Sequence, residues 1–260
     1  MNITQKKIPI SNSVSVEKIH TGDLAFGNKL QLICFPYAGT SANAYKNLAH
    51  YAPPFIDIIA VQLPGRGRYL GETPFDNIKP AVEAIAVSIK PYLNNNFAFF
   101  GHSMGALLSF ETAHYLNSGH SLNPCHLIVS GCQHPAFVDN SPLYHRLPDA
   151  ELINELRRLN GTPDELLNNH EMLNLMLPAI RADYQICETY KFTNSHKLKC
   201  PITVYGGYSD ETETKDLHAW EDYSTGDFTL KMFKGDHFFI HSSQKEVTNH
   251  LFNELNRYVT

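Results

Sequence analysis

The chain has 260 residues, 43% of them hydrophobic and 18% charged, with a formal net charge of −5. That is an ordinary globular composition, and the negative balance excludes a nucleic-acid binder that relies on a broad basic face. No stretch approaches the ~20 apolar residues needed to span a bilayer, and five cysteines without a C-x-x-C pair suggest neither a disulfide framework nor a zinc site.

Residues 1–28 are mixed and polar and are expected at the surface. Their first lysines are followed by no apolar core, so no secretory leader is expected and the cytoplasm is the expected compartment. L-Q-L-I-C-F-P (Leu30 to Pro36) and F-I-D-I-I-A-V-Q-L (Phe55 to Leu63) are near-continuous apolar runs of strand length, which suits strands buried on both faces of a parallel sheet. Between Asn77 and Leu93, apolar residues at Ile78, Val82, Ile85, Ile89 and Leu93 predict a helix. F-A-F-F (Phe97 to Phe100) predicts a strand. M-G-A-L-L-S-F-E-T-A-H-Y-L predicts a helix ending near Ser118-Gly119, and H-L-I-V-S (His126 to Ser130) another buried strand. This alternation argues for βαβ units.

From about residue 134 to 192 the strand signal stops and helical patterns take over, rich in Leu and Met. Asp149 is placed to cap one helix, Thr162 with Pro163 to start a second, and E-M-L-N-L-M-L-P-A-I-R-A-D-Y gives a third. The sheet resumes with P-I-T-V-Y-G-G (Pro201 to Gly207) and F-T-L-K-M-F (Phe228 to Phe233), and Ser242 to Tyr258 predicts a closing helix. The expected architecture is a single α/β domain over 1–260, its mostly parallel central sheet flanked by helices, with a helical insertion at approximately 134–192.

G-H-S-M-G (Gly101 to Gly105) matches G-x-S-x-G in the context that motif requires, a strand before it and a helix after it. Ser103 is then a nucleophile on a strained turn, needing a base and a group to orient that base. Asp210 lies just past the strand ending near Tyr205, and His237 just past the strand ending near Phe233. The order Ser103, Asp210, His237 is the one the α/β-hydrolase topology requires. A histidine base accepts the serine proton only when neutral, so activity is expected to fall as pH drops through an ordinary histidine's titration, near ~6.5. The oxyanion donors are expected to be the backbone N–H of Met104 and that of Tyr37 or Ala38, where Gly39 allows close approach.

Other polar residues receive structural readings. His102 precedes the nucleophile and is expected to point away from it. Asp236, next to His237, is assigned no role, and Asp216 and Asp222 fall within the following helix. P-G-R-G-R (Pro64 to Arg68) lacks both phosphate-loop and dinucleotide spacing. Arg66 and Arg68 are read as solvated loop arginines, with contact to an anionic substrate arm as the second reading.

I-C-F-P-Y-A-G-T-S-A, L-P-G-R-G-R, F-F-G-H-S-M-G-A-L-L-S-F-E, L-P-D-A-E-L-I-N-E-L-R-R-L-N-G-T-P-D-E-L-L, L-P-A-I-R-A-D-Y and G-D-H-F-F-I together resemble the type II thioesterases that accompany nonribosomal peptide and polyketide synthases. The resemblance runs from about Leu30 to the C-terminal helix. It implies an α/β-hydrolase with a mobile helical lid, hydrolysing acyl, aminoacyl or peptidyl groups from the phosphopantetheine arm of acyl or peptidyl carrier proteins. The implied roles are editing of misprimed or stalled synthases, or release of intermediates. Ser103, Asp210 and His237 fall on the family's triad positions. No metal and no cofactor of the enzyme's own are implied, and neither nucleic acid nor membrane is an expected partner. A monomer is expected. Thr40 departs from the family's usual second glycine and is expected to narrow the loop beside the oxyanion hole. The alternatives are a small-molecule carboxylesterase, lipase or acyltransferase using the same triad, and a catalytically idle binding partner.

Overall fold

The computed structural model describes residues 14–23, 29–137, 143–193 and 196–259. Seven strands form one sheet: β1 (Ser15–His20), β2 (Leu30–Phe35), β3 (Ile56–Gln62), β4 (Phe97–His102), β5 (His126–Ser130), β6 (Ile202–Gly207) and β7 (Phe228–Phe233). Their spatial order is β1-β3-β2-β4-β5-β6-β7; β1 runs antiparallel to β3, and every other pairing is parallel. The helices are α1 (Lys46–His50), α2 (Ile78–Ile89), α3 (Met104–His120), α4 (Asp149–Leu159), α5 (Asp164–Leu167), α6 (His170–Glu188), α7 (Thr214–His218), α8 (Phe239–Ser242) and α9 (Gln244–Asn256).

The apolar runs read as doubly buried strands are just that. In β2, Ile33 and Phe35 face one layer while Leu32 and Cys34 face the other, and in β3 Ile59 and Val61 oppose Ile58 and Ala60. The first layer is closed by Val82, Ile85 and Ile89 of α2 and by Leu108 and Leu116 of α3; the second by Val247, Leu251 and Leu255 of α9. Helices α4 to α6, between β5 and β6, carry a third, smaller cluster built from Leu152, Leu156, Leu167, Leu173, Leu177 and Ile180. Among the described residues no helix is long and apolar enough to cross a membrane.

Several local expectations need correction. Within the segment read as polar surface, Ser15–His20 is a strand; residues 1–13 and 24–28 lie outside the described residues. S-V-E-K-I-H has no clean apolar alternation, and its strand character comes from pairing with β3. Helix α3 continues through Gly119 to His120, ended by Ser121 at φ 54°, whose amide bonds the Asn117 carbonyl. Asp149 does not cap α4 with its side chain, because its carboxylate accepts from Arg181 Nη2 at 2.5 Å. Helix α5 starts at Asp164 behind Pro163, one residue later than a Thr162 cap requires. The closing helix begins at Gln244, separated from the single turn α8 by a break at Ser243.

Candidate active site

Ser103 stands between β4 and α3 with φ 52° and ψ −122°, a backbone conformation that L-residues adopt only under strain. The turn is held by the Ser103 amide donating to the Ser130 carbonyl at 2.8 Å. Its tightness explains the flanking glycines. A side chain on Gly101 would overlap the Gly105 carbonyl, and one on Gly105 would overlap the Phe35 carbonyl. Met104 opens α3, so its amide lacks an intrahelical acceptor and points from a helix N-terminus.

The loops after β6 and β7 are joined by two backbone bonds, Tyr208 N–H to the Phe233 carbonyl and Ser209 N–H to the Gly235 carbonyl, each 2.9 Å. That places Asp210 beside His237, whose Nδ1 lies 3.1 Å from Oδ2 and 3.3 Å from Oδ1. The Asp210 carboxylate is 3% exposed and the imidazole 22%, which leaves Nε2 as the ring nitrogen free for other contacts. Ser103 and His237 line the same cavity; no hydrogen bond joins them in this structure. Asp210 also accepts weakly from the Thr212 amide at 3.4 Å, and Asp236 accepts from the Phe238 amide at 2.9 Å, pinning the turn that follows the histidine.

His102 does not face the cavity, as expected, but it is not remote from the site. Its ring lies 5.0 Å from that of His237, with Nδ1 2.9 Å from Ser130 Oγ. Burial holds its pKa well below the ordinary histidine range, and the neighbouring His237 and His241 push it the same way. A neutral ring therefore backs His237.

The loop after β2 forms a turn in which Thr40 donates twice to the Tyr37 carbonyl, from its amide at 3.1 Å and its hydroxyl at 2.7 Å. Gly39, at φ 74°, gives its amide to Asp183 at 2.8 Å. Among the described residues the amides of Tyr37 and Ala38 have no protein acceptor, so both stay available to an oxyanion. The Tyr37 phenol meets His241 Nε2 at 2.9 Å, and burial raises its pKa to about 12.

Arg66 overturns its sequence reading. It is buried, and its guanidinium makes a bidentate contact with Asp183 of α6, at 2.6 and 2.8 Å. It therefore neither sits in solvent nor stays free for an anionic arm. Arg68 is the exposed one, paired with Glu17 at 2.7 Å.

The cavity has a volume of about 250 Å³. Ser103, Ala38 and His237 line it together with Leu156, Leu166 and Met176 of the helical insertion. No carboxylate, lysine or arginine lines it among the described residues. Cys187 lines it too, with an exposed side chain. Among the described residues no group of three or more His, Cys, Asp or Glu could hold a metal ion.

Sequence reasoning missed Asp183, His241 and the seat of Phe238. A side chain on Gly161, in the loop between α4 and α5, would overlap the Phe238 ring beside His237. For Asp183 a signal existed: it lies three residues after Ile180 on the stripe that α6 buries, where a lone carboxylate requires a partner.

A model of the thioesterase domain family matches residues 30–255. The gramicidin S biosynthesis protein GrsT of Aneurinibacillus migulanus is 42% identical over 228 residues, covering 87% of this chain and 89% of that protein. The thioesterase PikA5 of Streptomyces venezuelae is 31% identical over 97% of this chain and 89% of its own. Among solved structures, the type II thioesterase BorB from the borrelidin biosynthetic cluster superposes with a TM-score of 0.85 at 33% identity, over 93% of this chain and 97% of that one. With that coverage, a mostly parallel seven-stranded sheet and a serine elbow facing an apolar cavity, the chain belongs to the thioesterase domain family and is a type II thioesterase of the α/β-hydrolase fold.

Proposed function

We propose that this enzyme hydrolyses acyl thioesters borne on the phosphopantetheine arm of carrier-protein domains in a nonribosomal peptide or polyketide pathway, acting as a monomer without a cofactor of its own. Ser103 attacks the thioester carbonyl while His237 Nε2 takes its proton and Asp210 holds the imidazole through Nδ1. The tetrahedral oxyanion is met by the Met104 amide and by that of Tyr37 or Ala38. Collapse expels the pantetheine thiolate, which takes the proton from His237 and leaves an acyl-serine. Water then attacks that ester, again giving up a proton to His237, and Ser103 leaves with the proton as the free acid departs. Helices α4 to α6 act as a lid whose apolar face receives the acyl group.

One observation carries this reading: the strained Ser103 and the Asp210-paired His237 open on one apolar cavity. Among the described residues that cavity presents no carboxylate, lysine or arginine to a polar headgroup. Relatives named for gramicidin S biosynthesis and for PikA5 thioesterase support the pathway.

The test is a panel of carrier proteins loaded with different acyl groups, compared with free simple esters. Carrier-bound thioesters should be preferred, and Ser103→Ala should reduce turnover at least about 10³-fold with folding intact. Equal turnover by that variant, or a clear preference for free esters, would refute the proposal. Rates across the panel separate removal of misprimed groups from release of intermediates.

A further inference from the structure

Asp183 is fully buried, yet it gathers donors from two other parts of the chain. Oδ2 accepts from the Gly39 amide at 2.8 Å and from Arg66 Nη1 at 2.6 Å, and Oδ1 accepts from Arg66 Nη2 at 2.8 Å. Arg66 also donates to the loop backbone, from Nε to the Pro64 carbonyl at 3.2 Å and from Nη1 to the Thr40 carbonyl at 3.4 Å. Buried Gln62 completes the grip: Oε1 accepts from the Ala42 amide at 3.0 Å, while Nε2 donates to the Leu63 carbonyl at 2.8 Å and the Arg66 carbonyl at 3.3 Å. Three buried polar side chains thus hold the loop after β2 at Gly39, Thr40 and Ala42.

Stability does not demand such an arrangement. Replacing a buried ion pair by apolar residues of similar volume is often neutral or stabilising. What a bidentate pair adds is direction, because it fixes the carboxylate plane, and the third bond then fixes the peptide between Ala38 and Gly39. That peptide adjoins the one carrying the Ala38 amide and lies two along from the one carrying the Tyr37 amide, and the Thr40-to-Tyr37 turn leaves the loop little freedom to swing. On its other side, α6 packs Ile180 directly against Gly39, and both Ile180 and Met176 line the cavity.

We infer that Asp183, oriented by Arg66, is a positioning residue for the oxyanion hole: it takes up the Gly39 amide, so that the adjacent amide of Ala38, or that of Tyr37 one peptide further along the same turn, is aimed at the oxyanion, and it ties that aim to the helix lining the acyl cavity. The inference rests on the hydrolytic mechanism proposed above. An ordinary structural cross-link predicts loss of stability; a positioning device predicts loss of transition-state binding in a protein that remains folded.

The decisive variant is the double replacement Arg66→Met with Asp183→Leu, which removes both charges together and leaves the Gly39 amide without its acceptor. With a short acyl N-acetylcysteamine thioester, KM should stay within about threefold while kcat falls about 10- to 100-fold, less than the loss of a whole oxyanion donor. The affinity for a trifluoromethyl ketone that forms a hemiketal with Ser103 should fall by the same factor as kcat/KM. Arg68→Ala, at the surface, should change neither. A double variant that folds and keeps wild-type kcat overturns the inference, as does a kcat loss with undiminished ketone affinity. Should the double variant fail to fold, amide hydrogen exchange on the wild type decides. A protected Gly39 amide is expected, and one exchanging at the rate of an unstructured chain overturns the inference. A wild type that hydrolyses no thioester fails the proposed mechanism, and this inference with it; a working wild type beside an unimpaired double variant fails the inference alone.

Discussion

At the scale of single residues, Gly101 and Gly105 decide whether Ser103 can keep its φ of 52°. Strand β4 and helix α3 approach so closely there that a methyl group would overlap a carbonyl oxygen at either position. Backbone cannot yield as a side-chain tip can. Gly105→Ala is therefore expected to cost about 1–3 kcal/mol, lowering the melting temperature by about 2–12 °C. It should also slow labelling of Ser103 by a fluorophosphonate under conditions where the variant is folded. An unchanged melting temperature and labelling rate would contradict this account. These glycines, Ser103, Asp210 and His237 were legible because each sits beside its own strand end, where spacing along the chain reports position in space. Arg66 was not legible, because its partner lies 117 residues away on a helix that no local pattern places beside it.

At the scale of elements, the insertion α4 to α6 is bound to the body at chosen points. Arg158 of α4 grips Glu155 on its own helix and reaches Glu211, next to the loop residue Asp210. Within the insertion, Arg181 of α6 holds the start of α4 through Asp149 and the carbonyls of His145 and Leu147. The tightest seat is Gly161 on Phe238, where the connection between α4 and α5 touches the residue next to His237. Gly161→Ala should push the phenyl ring towards the histidine. The expected result is a kcat lower by about 10-fold from misplacement of the base, with a melting temperature little changed, since a ring tip can shift at small cost. Unaltered kcat would show that the ring moves without disturbing His237. The helices of the insertion were readable from their 3.6-residue period, whereas their caps were misplaced. At Asp149, attraction to Arg181 outweighed the local preference to cap. β1 escaped notice for a related reason: an edge strand of mixed residues becomes a strand by pairing, here in antiparallel register with β3.

At the scale of the whole molecule, several histidines are built into the interior in neutral form. His126 is buried between Tyr258 Oη at 3.0 Å and Thr203 Oγ1 at 2.8 Å, and burial pushes its pKa down to about 3. Burial, reinforced by His196, lowers that of His114 to about 4, and burial lowers His102 well below its usual value. In the unfolded chain each titrates near ~6.5. As pH falls below that point the unfolded state binds protons that the folded state refuses, so stability present above about pH 6.5 is lost progressively towards pH 4. Thermal unfolding measured from pH 7.5 to 4.5 should show a steadily falling melting temperature. A flat or rising trend would mean that these rings can take up protons without leaving the fold.

The sequence by itself determined the α/β class, the places of the parallel strands along the chain, the serine elbow and the identity of the groups placed after β6 and β7. Those features follow from burial period and from glycine at positions where backbones nearly touch, and both are local properties of the chain. Only the tertiary structure decided that Arg66 turns inward to Asp183, that this carboxylate captures the Gly39 amide, and that a neutral His102 backs His237. Each of these joins groups far apart in sequence, and what selects them is the need to pair buried polar atoms once folding has removed them from water.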